Sequence, residues 1–292
     1  MGRLQETIQQ SCALRGAALI GVLNVTPDSF FDGGLYVGLG QAQARIDELL
    51  QEGADVIEIG AESSRPGAVP VPANVQLERA LPSVRYALER GALVSIDTTS
   101  PEVARETLKA GAHVINDVSC LSDDALARVA ASFGVPLILM HSRGSMEPEK
   151  FSEYPKAGYS DIVADVAREW LAARSRATRV GIEEHNVWFD PGLGFHKSAE
   201  QSLELMRRLR EFSQLDSTLV LGASRKSFLG QFGGATPEKR LAASLSAALF
   251  GVESGVQLLR VHDVAATGQA LLASRAFHSS TEPQPEARRG HA

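Results

Sequence analysis

The chain is 292 residues long, 44% hydrophobic and 22% charged, with a formal net charge of -6 at neutral pH. That length suits one large domain or two small ones, and the composition is that of a globular protein able to bury a full core. The acidic balance argues against nucleic acid as a main partner, because binding a phosphate backbone needs clustered cations. Cys12 and Cys120 lie far apart outside any CxxC pattern, so they supply neither a disulfide framework nor a zinc site. The first ten residues, MGRLQETIQQ, lack the apolar core of a signal peptide. No apolar run approaches the roughly 18 residues that span a bilayer, so no membrane partner is expected. Together these features point to a cytoplasmic protein.

Residues 1–17 read as an N-terminal extension. From there, short runs rich in Val, Ile and Leu alternate with longer amphipathic segments. A strand at Ala18–Val25 is followed by a helix near Gln41–Gln51, and Val56–Ile59 by Val75–Arg90. Leu93–Ile96 precedes Pro101–Ala110, His113–Asn116 precedes Asp123–Ser132, and Pro136–Met140 precedes Asp161–Ala177. Val187–Phe189 leads to Ser198–Phe212, Leu219–Gly222 to Pro237–Val252, and Val256–Val261 to Val264–Ser274. Helix starts carry their signals. Ser100-Pro101-Glu102 and Thr236-Pro237-Glu238 set a capping hydroxyl before a proline at the first helical position. Ser122-Asp123-Asp124 and Ser198-Ala199-Glu200 suit helix N-termini, while Gly53, Gly91, Gly111 and Gly134 mark helix ends.

Eight strand-helix units with near-continuously apolar strands predict a single (β/α)8 barrel, an α/β fold over residues 18–275. A doubly wound open sheet is the alternative, but no GxGxxG follows the first strand. The polar, proline-containing tail, residues 276–292, reads as disordered.

In such a barrel the active site is built at the C-terminal ends of the strands. The first exit runs Asn24-Val25-Thr26-Pro27-Asp28-Ser29-Phe30-Phe31-Asp32-Gly33-Gly34, more chemistry than a connector requires. The second runs Gly60-Ala61-Glu62-Ser63-Ser64-Arg65-Pro66-Gly67. Later exits carry Asp97, Asn116-Asp117, Met140-His141, Asp190 to Phe195, Ser224-Arg225-Lys226-Ser227, and Arg260-Val261-His262-Asp263. Singly, each has a bland reading. A lone Asp caps the next helix, His141 is a hydrogen-bonded core histidine, and Lys226 is a solvated charge. Eight polar exits converging on one face are what chance capping rarely produces.

The groups divide by type. Asp97, Asn116 and Asp190 offer oxygen acceptors and suit a flat buried heterocycle rich in N–H donors, such as a pterin or purine. The cations Arg65, Lys226, Arg260 and His262 suit an anion. Arg260 and His262 are two apart on a strand and so share a face, a natural phosphate or diphosphate pocket. Asn24 suits magnesium, a hard cation that needs few protein ligands when phosphates supply the rest. Phe30 and Phe195 suit an aromatic co-substrate.

These motifs resemble those of the dihydropteroate synthase family, the pterin-binding barrel enzymes of folate biosynthesis that sulfonamides target. NVTPDSFFDGG and ESSRPGA resemble the family's two mobile loops, and SIDT, INDVS, LMH, DPGLGF, GASRKSF and RVHDV its later signatures, in order over roughly residues 18 to 275. The resemblance implies a transferase that joins 4-aminobenzoate to 6-hydroxymethyl-7,8-dihydropterin diphosphate, with Mg2+ as cofactor. By the same resemblance Asp97, Asn116, Met140, Asp190 and Lys226 would hold the pterin. Asn24, Arg65, Arg260 and His262 would hold the diphosphate, with the metal at Asn24. Phe30, Ser64, Pro66, Phe195 and Ser227 would surround the aminobenzoate. Lys226, Arg260, His262 and Asp97 would carry the chemistry, and the first two loops would close over the substrates.

Three positions depart from the family pattern: Ser64 for Thr, Ala61 for Gly, and His196 for Gly. They bear on the aminobenzoate rim more than on the reaction. Two other readings stay open at this point, a pterin-binding methyltransferase-type barrel and a non-catalytic folate-binding barrel. The helix around Arg240–Val252 is small and apolar, so a family-like homodimer through it is expected beside simple packing on the barrel.

Overall fold

The computed structural model describes residues 2–26, 35–62, 70–143, 158–234 and 236–278. Eight parallel strands run β1 (Ala18–Asn24), β2 (Val56–Gly60), β3 (Leu93–Asp97), β4 (Val114–Asp117), β5 (Leu137–Met140), β6 (Val187–Asp190), β7 (Val220–Leu221) and β8 (Leu258–Val261). Their order is β6-β5-β4-β3-β2-β1-β8-β7, and the seam between β6 and β7 is closed by a parallel bridge from Phe189 to Leu219. The Phe189 amide donates to Thr218 O across that seam at 2.9 Å. The expected (β/α)8 barrel is therefore what forms.

The helices are α1 (Arg3–Arg15), α2 (Leu35–Gln51), α3 (Ala73–Glu89), α4 (Pro101–Lys109), α5 (Asp124–Phe133), α6 (Ile162–Arg179), α7 (Ala199–Arg207), α8 (Leu241–Glu253) and α9 (Val264–His278). Caps act where the sequence places them. Ser100 accepts from the Val103 amide, Asp123 from Ala125, and Ser198 with Gln201 forms a full capping box. Thr236 makes no such cap bond, and Pro237–Arg240 is a 3-10 turn that delays α8. Likewise α7 gives way to a 3-10 stretch over Leu209–Leu215. Helix α2 starts earlier than its periodicity suggests, because Gly38 and Gly40 dilute the apolar pattern there. The last helix continues to His278, so residues 276–278 are helical rather than part of a disordered tail. Residues 279–292 lie outside the described residues.

Alternation along each strand sorts the core into two parts. Outward-facing Leu19, Ile57, Val94, Ile115, Leu139, Phe189 and Leu259 pack against the helices. On β6 this layer continues as an aromatic train, Trp170–Phe189–Phe212, with centroids 4.9 Å apart at each step. Inward-facing Ala18, Ile20, Val56, Leu93, Val114, Ile138, Trp188, Val220 and Leu258 form a separate apolar plug in the lower barrel.

The N-terminal segment is helical over Arg3–Arg15 and packs on the barrel. Leu4 and Ile8 of α1 insert into that plug and cover the barrel floor. Asp55, ahead of β2, fastens the helix by accepting from Ser11 Oγ at 2.6 Å and pairing with Arg15, and it also takes the Leu19 amide at 2.6 Å. One seam of two apolar residues leaves α1 with almost no amphipathic signal, so its helical form is not legible from periodicity.

Candidate active site

Above the apolar plug the inner wall turns polar, and strand register shows where. Val22, Glu58 and Ser95 are neighbours across β1, β2 and β3. One pleat higher, Asn24, Gly60, Asp97 and Asn116 form a row across β1 to β4, and Met140 faces Asp190 across β5 and β6. The polar residues thus ring the C-terminal mouth, the end at which barrels of this kind place their active sites.

Hydrogen bonds knit the ring. Arg260 donates through Nε to Glu58 and through a terminal nitrogen to Asp97 Oδ2 at 2.7 Å. Asn116 Nδ2 donates to Glu58 Oε2 at 3.0 Å, while its Oδ1 is buried without a partner among the described residues. Asp190 Oδ1 takes the Gly192 amide at 2.8 Å. Lys226 Nζ donates to Leu193 O at 2.6 Å and lies 4.7 Å from the Phe195 ring centroid, a cation–π contact. A side chain at Gly222 would place its Cβ 3.6 Å from Asp190 Oδ2 and 3.8 Å from Lys226 Nζ, so that glycine leaves the space where these groups converge. Gly60 does the same between Asn24 Oδ1 and Asp97.

Burial sets the charges. It pushes the Asp97 carboxyl up to about 7 against the pull of Arg260, with Glu58, Asp117 and Glu62 adding to the rise. Lys226 is pulled down to about 8, first by burial, with Asp190 opposing. For Arg260 burial works against the charge, but Glu58 and Asp97 outweigh it, so the guanidinium is firmly charged. His262 is pushed down to about 4 by burial and then by Arg260. It is therefore a neutral hydrogen-bonding group near neutral pH, not the cation its sequence position suggests. Its Nδ1 meets Ser224 Oγ at 3.1 Å, and it borders a cavity of about 410 Å³ lined also by Arg45, Arg225 and Asp263.

Of the residues expected from sequence, Asp97, Asn116, Asp190, Lys226 and Arg260 come together at this mouth. Met140 is buried beside them, Asn24 is exposed at the end of β1, Phe195 is half-buried, and Ser227 is exposed just after Lys226. Phe30, Ser64, Arg65 and Pro66 lie outside the described residues. The bland readings hold elsewhere. His141 is a core histidine bonded to Glu169 at 3.0 Å, and Asp117 caps a turn through Ser119 and Leu121. Glu62 accepts from the Val71 amide at 2.6 Å and so ties the two ends of the second loop together.

Two residues were missed. Glu58 looks like an interruption in an apolar strand, yet its parity with Val56 already aims it into the barrel. Lys197 is buried with Nζ donating to the carbonyls of His141, Gly192 and Phe195 at 3.1, 3.0 and 2.9 Å, clamping the loop after β6. No local pattern marks that lysine. In the same loop His196 has a left-handed φ of 49°, the conformation for which Gly is usual, and its Nδ1 is held by Ser142 Oγ at 2.7 Å. Gly192 is obligatory, since a Cβ there would lie 2.0 Å from His141 O.

A family profile described as pterin binding enzyme matches residues 20–262. The chain is 39% identical to the dihydropteroate synthase of Escherichia coli (strain K12) over 265 residues, 90% of this chain and 93% of that protein. It superposes with a TM-score of 0.84 on the Xanthomonas albilineans dihydropteroate synthase solved with 4-aminobenzoic acid, at 37% identity, covering 91% of this chain and 94% of that one. A structure from the same organism in complex with 7,8-dihydropteroate gives 0.79 at 32% identity, covering 91% and 94%.

Proposed function

The chain belongs to the pterin binding enzyme family, and from that premise we propose that it is a transferase making 7,8-dihydropteroate and diphosphate from 4-aminobenzoate and 6-hydroxymethyl-7,8-dihydropterin diphosphate. The observation that carries this reading is the acceptor-rich wall of Asp97, Asn116 and Asp190 with Lys226 and Arg260 beside it. The buried, unpartnered Asn116 Oδ1 at its centre is an acceptor waiting for a ligand donor.

In this reading the pterin's ring N–H and amino groups face Asp97, Asn116 and Asp190, with Lys226 and Met140 completing the pocket. Arg260 keeps a terminal nitrogen for the diphosphate while Glu58 and Asp97 hold the rest of its fork. His262, Asn24 and Arg65 complete the anion site. Magnesium fits the donor set, because Asn24 Oδ1 is a neutral oxygen facing the space kept open at Gly60. Bound there, the ion would neutralise charge on the leaving diphosphate. The C–O bond to diphosphate breaks, its electron pair leaves with the diphosphate, and the carboxylate of Asp97 offsets the positive charge left on the pterin. The amine of aminobenzoate then forms the new C–N bond and releases its proton to solvent. Phe195 and Ser227, with Phe30, Ser64 and Pro66, would surround the aminobenzoate.

The reading includes a homodimer. Helix α8 is apolar nearly all round, and it leaves Leu241 and Phe250 exposed, with Phe232 before it and Leu272 and Phe277 on the adjoining α9. Sedimentation at micromolar concentration should give twice the monomer mass. Among the described residues no helix is long and apolar enough to cross a membrane.

The test is direct. Purified protein with both substrates and magnesium should form dihydropteroate; no product under any metal condition would sink the assignment. Binding of methyl-tetrahydrofolate without diphosphate release would instead favour a methyltransferase-type barrel.

A further inference from the structure

Glu58 enters the proposed reaction only through its bond to Arg260, yet it is fully buried at the centre of the polar layer. Its Oε2 accepts from Asn116 Nδ2 at 3.0 Å and Ser95 Oγ at 3.4 Å, and its Oε1 accepts from Arg260 Nε. Arg260 in turn reaches Asp97 at 2.7 Å. One carboxylate therefore joins β2, β3, β4 and β8 beneath the substrate mouth.

The barrel itself does not need an acid at this height. The layer below is filled by apolar side chains, and apolar packing serves stability at least as well as a buried ion pair. What a carboxylate does that an apolar residue cannot is fix orientation. It accepts hydrogen bonds and donates none, so the Asn116 amide must turn its nitrogen toward Glu58. Its Oδ1 then faces away, where it is buried without a partner among the described residues. The same carboxylate pins the Nε edge of Arg260, so the guanidinium fork has one direction left to point.

We propose that Glu58 is a positioning residue for the transfer reaction, presenting Asn116 Oδ1 to a donor on the pterin and aiming Arg260 between Asp97 and the diphosphate. This deepens the synthase reading and rests on it. Glu58 touches neither substrate. Glutamine at this position has nearly the same shape but offers both a donor and an acceptor. Asn116 is then free to flip, presenting its amino group to a donor-rich ring, and Arg260 loses one of its two charged partners, keeping only Asp97.

The experiment compares wild type, Glu58→Gln and Glu58→Asp in two assays, steady-state kinetics with each substrate varied and calorimetric titration with the pterin alone. Glu58→Gln should raise KM for the pterin diphosphate about 10-fold to 100-fold, the range seen when the hydrogen-bond partner that orients a metal-binding side chain is removed. The KM for aminobenzoate should stay within about twofold, because its pocket is on the Phe195 side. Glu58→Asp, which can only accept, should recover part of the loss. The calorimetric arm stands apart from catalysis. If the wild type makes no dihydropteroate, the functional reading fails, and weaker pterin binding in Glu58→Gln alone still supports the orienting role. Equal losses for both substrates, or wild-type pterin affinity in Glu58→Gln, would overturn it. Should Glu58→Gln fail to fold, Glu58→Asp decides by the same split, and failure of both to fold would assign Glu58 to the barrel rather than the site.

Discussion

Replacing Asp97 by Asn should remove one limb of the pH profile and leave the other in place. Burial pushes Asp97 up to about 7 against the pull of Arg260, with Glu58, Asp117 and Glu62 adding to the rise. It pulls Lys226 down to about 8, with Arg260 adding to the fall and Asp190 and Asp97 opposing it. In the proposed reading, pterin binding needs Asp97 ionised and Lys226 protonated. Efficiency should therefore rise as pH climbs through 7 and fall as it passes 8. With those two values, the active fraction at pH 7.5 is about six times that at pH 6 or pH 9. His262, near 4, stays neutral across this window and adds nothing. In Asp97→Asn the absolute rate drops, and between pH 6 and 7.5 the profile should be flat to within about 1.5-fold, with only the alkaline limb remaining. The assay is kcat/KM for the pterin diphosphate in constant-ionic-strength buffers, expressed as wild type over variant so that titration of the substrate cancels. A ratio that does not change with pH would refute the assignment of the acid limb to Asp97.

Other substitutions probe separate parts of the account. Leu4→Ala should lower the unfolding free energy in urea by about 2–5 kcal/mol through a cavity in the barrel floor, while leaving both KM values alone. An unchanged midpoint would contradict the plug. Lys226→Ala should abolish most activity in a protein whose thermal unfolding remains cooperative, and wild-type rates would count against its role. Phe195→Ala should raise KM for aminobenzoate far more than for the pterin diphosphate if the half-buried ring beside Lys226 borders the aminobenzoate as proposed. His196→Gly relieves a left-handed backbone and gives up the Ser142 bond, each worth about 1 kcal/mol, so the melting temperature should move little. A large loss would mean that the imidazole does more than compensate for its own strain.

Much of this site could be read before the fold was known, because barrels advertise their exits. An apolar run ending in Asp97, Asn116 or Asp190 tells where the chain leaves the core and what it carries there. What stayed hidden depends on contacts distant in sequence. Arg260 and Asp97 are 163 residues apart, and nothing local reveals that the expected diphosphate cation is already shared with two acids. The neutral state of His262 follows from burial beside Arg260, which sequence cannot register. Lys197 resembles any surface lysine until three carbonyls are found around it. Helix α1 was hidden for the opposite reason, since two apolar residues suffice when the partner surface is a barrel floor.

In the proposed reaction this mouth joins an aryl amine to a pterin with loss of diphosphate. Counting diphosphate released against dihydropteroate formed, with and without aminobenzoate, tests it most directly. One diphosphate per dihydropteroate, with dihydropteroate appearing only when aminobenzoate is present, is the predicted result. Diphosphate release unaccompanied by dihydropteroate when both substrates are supplied would contradict it.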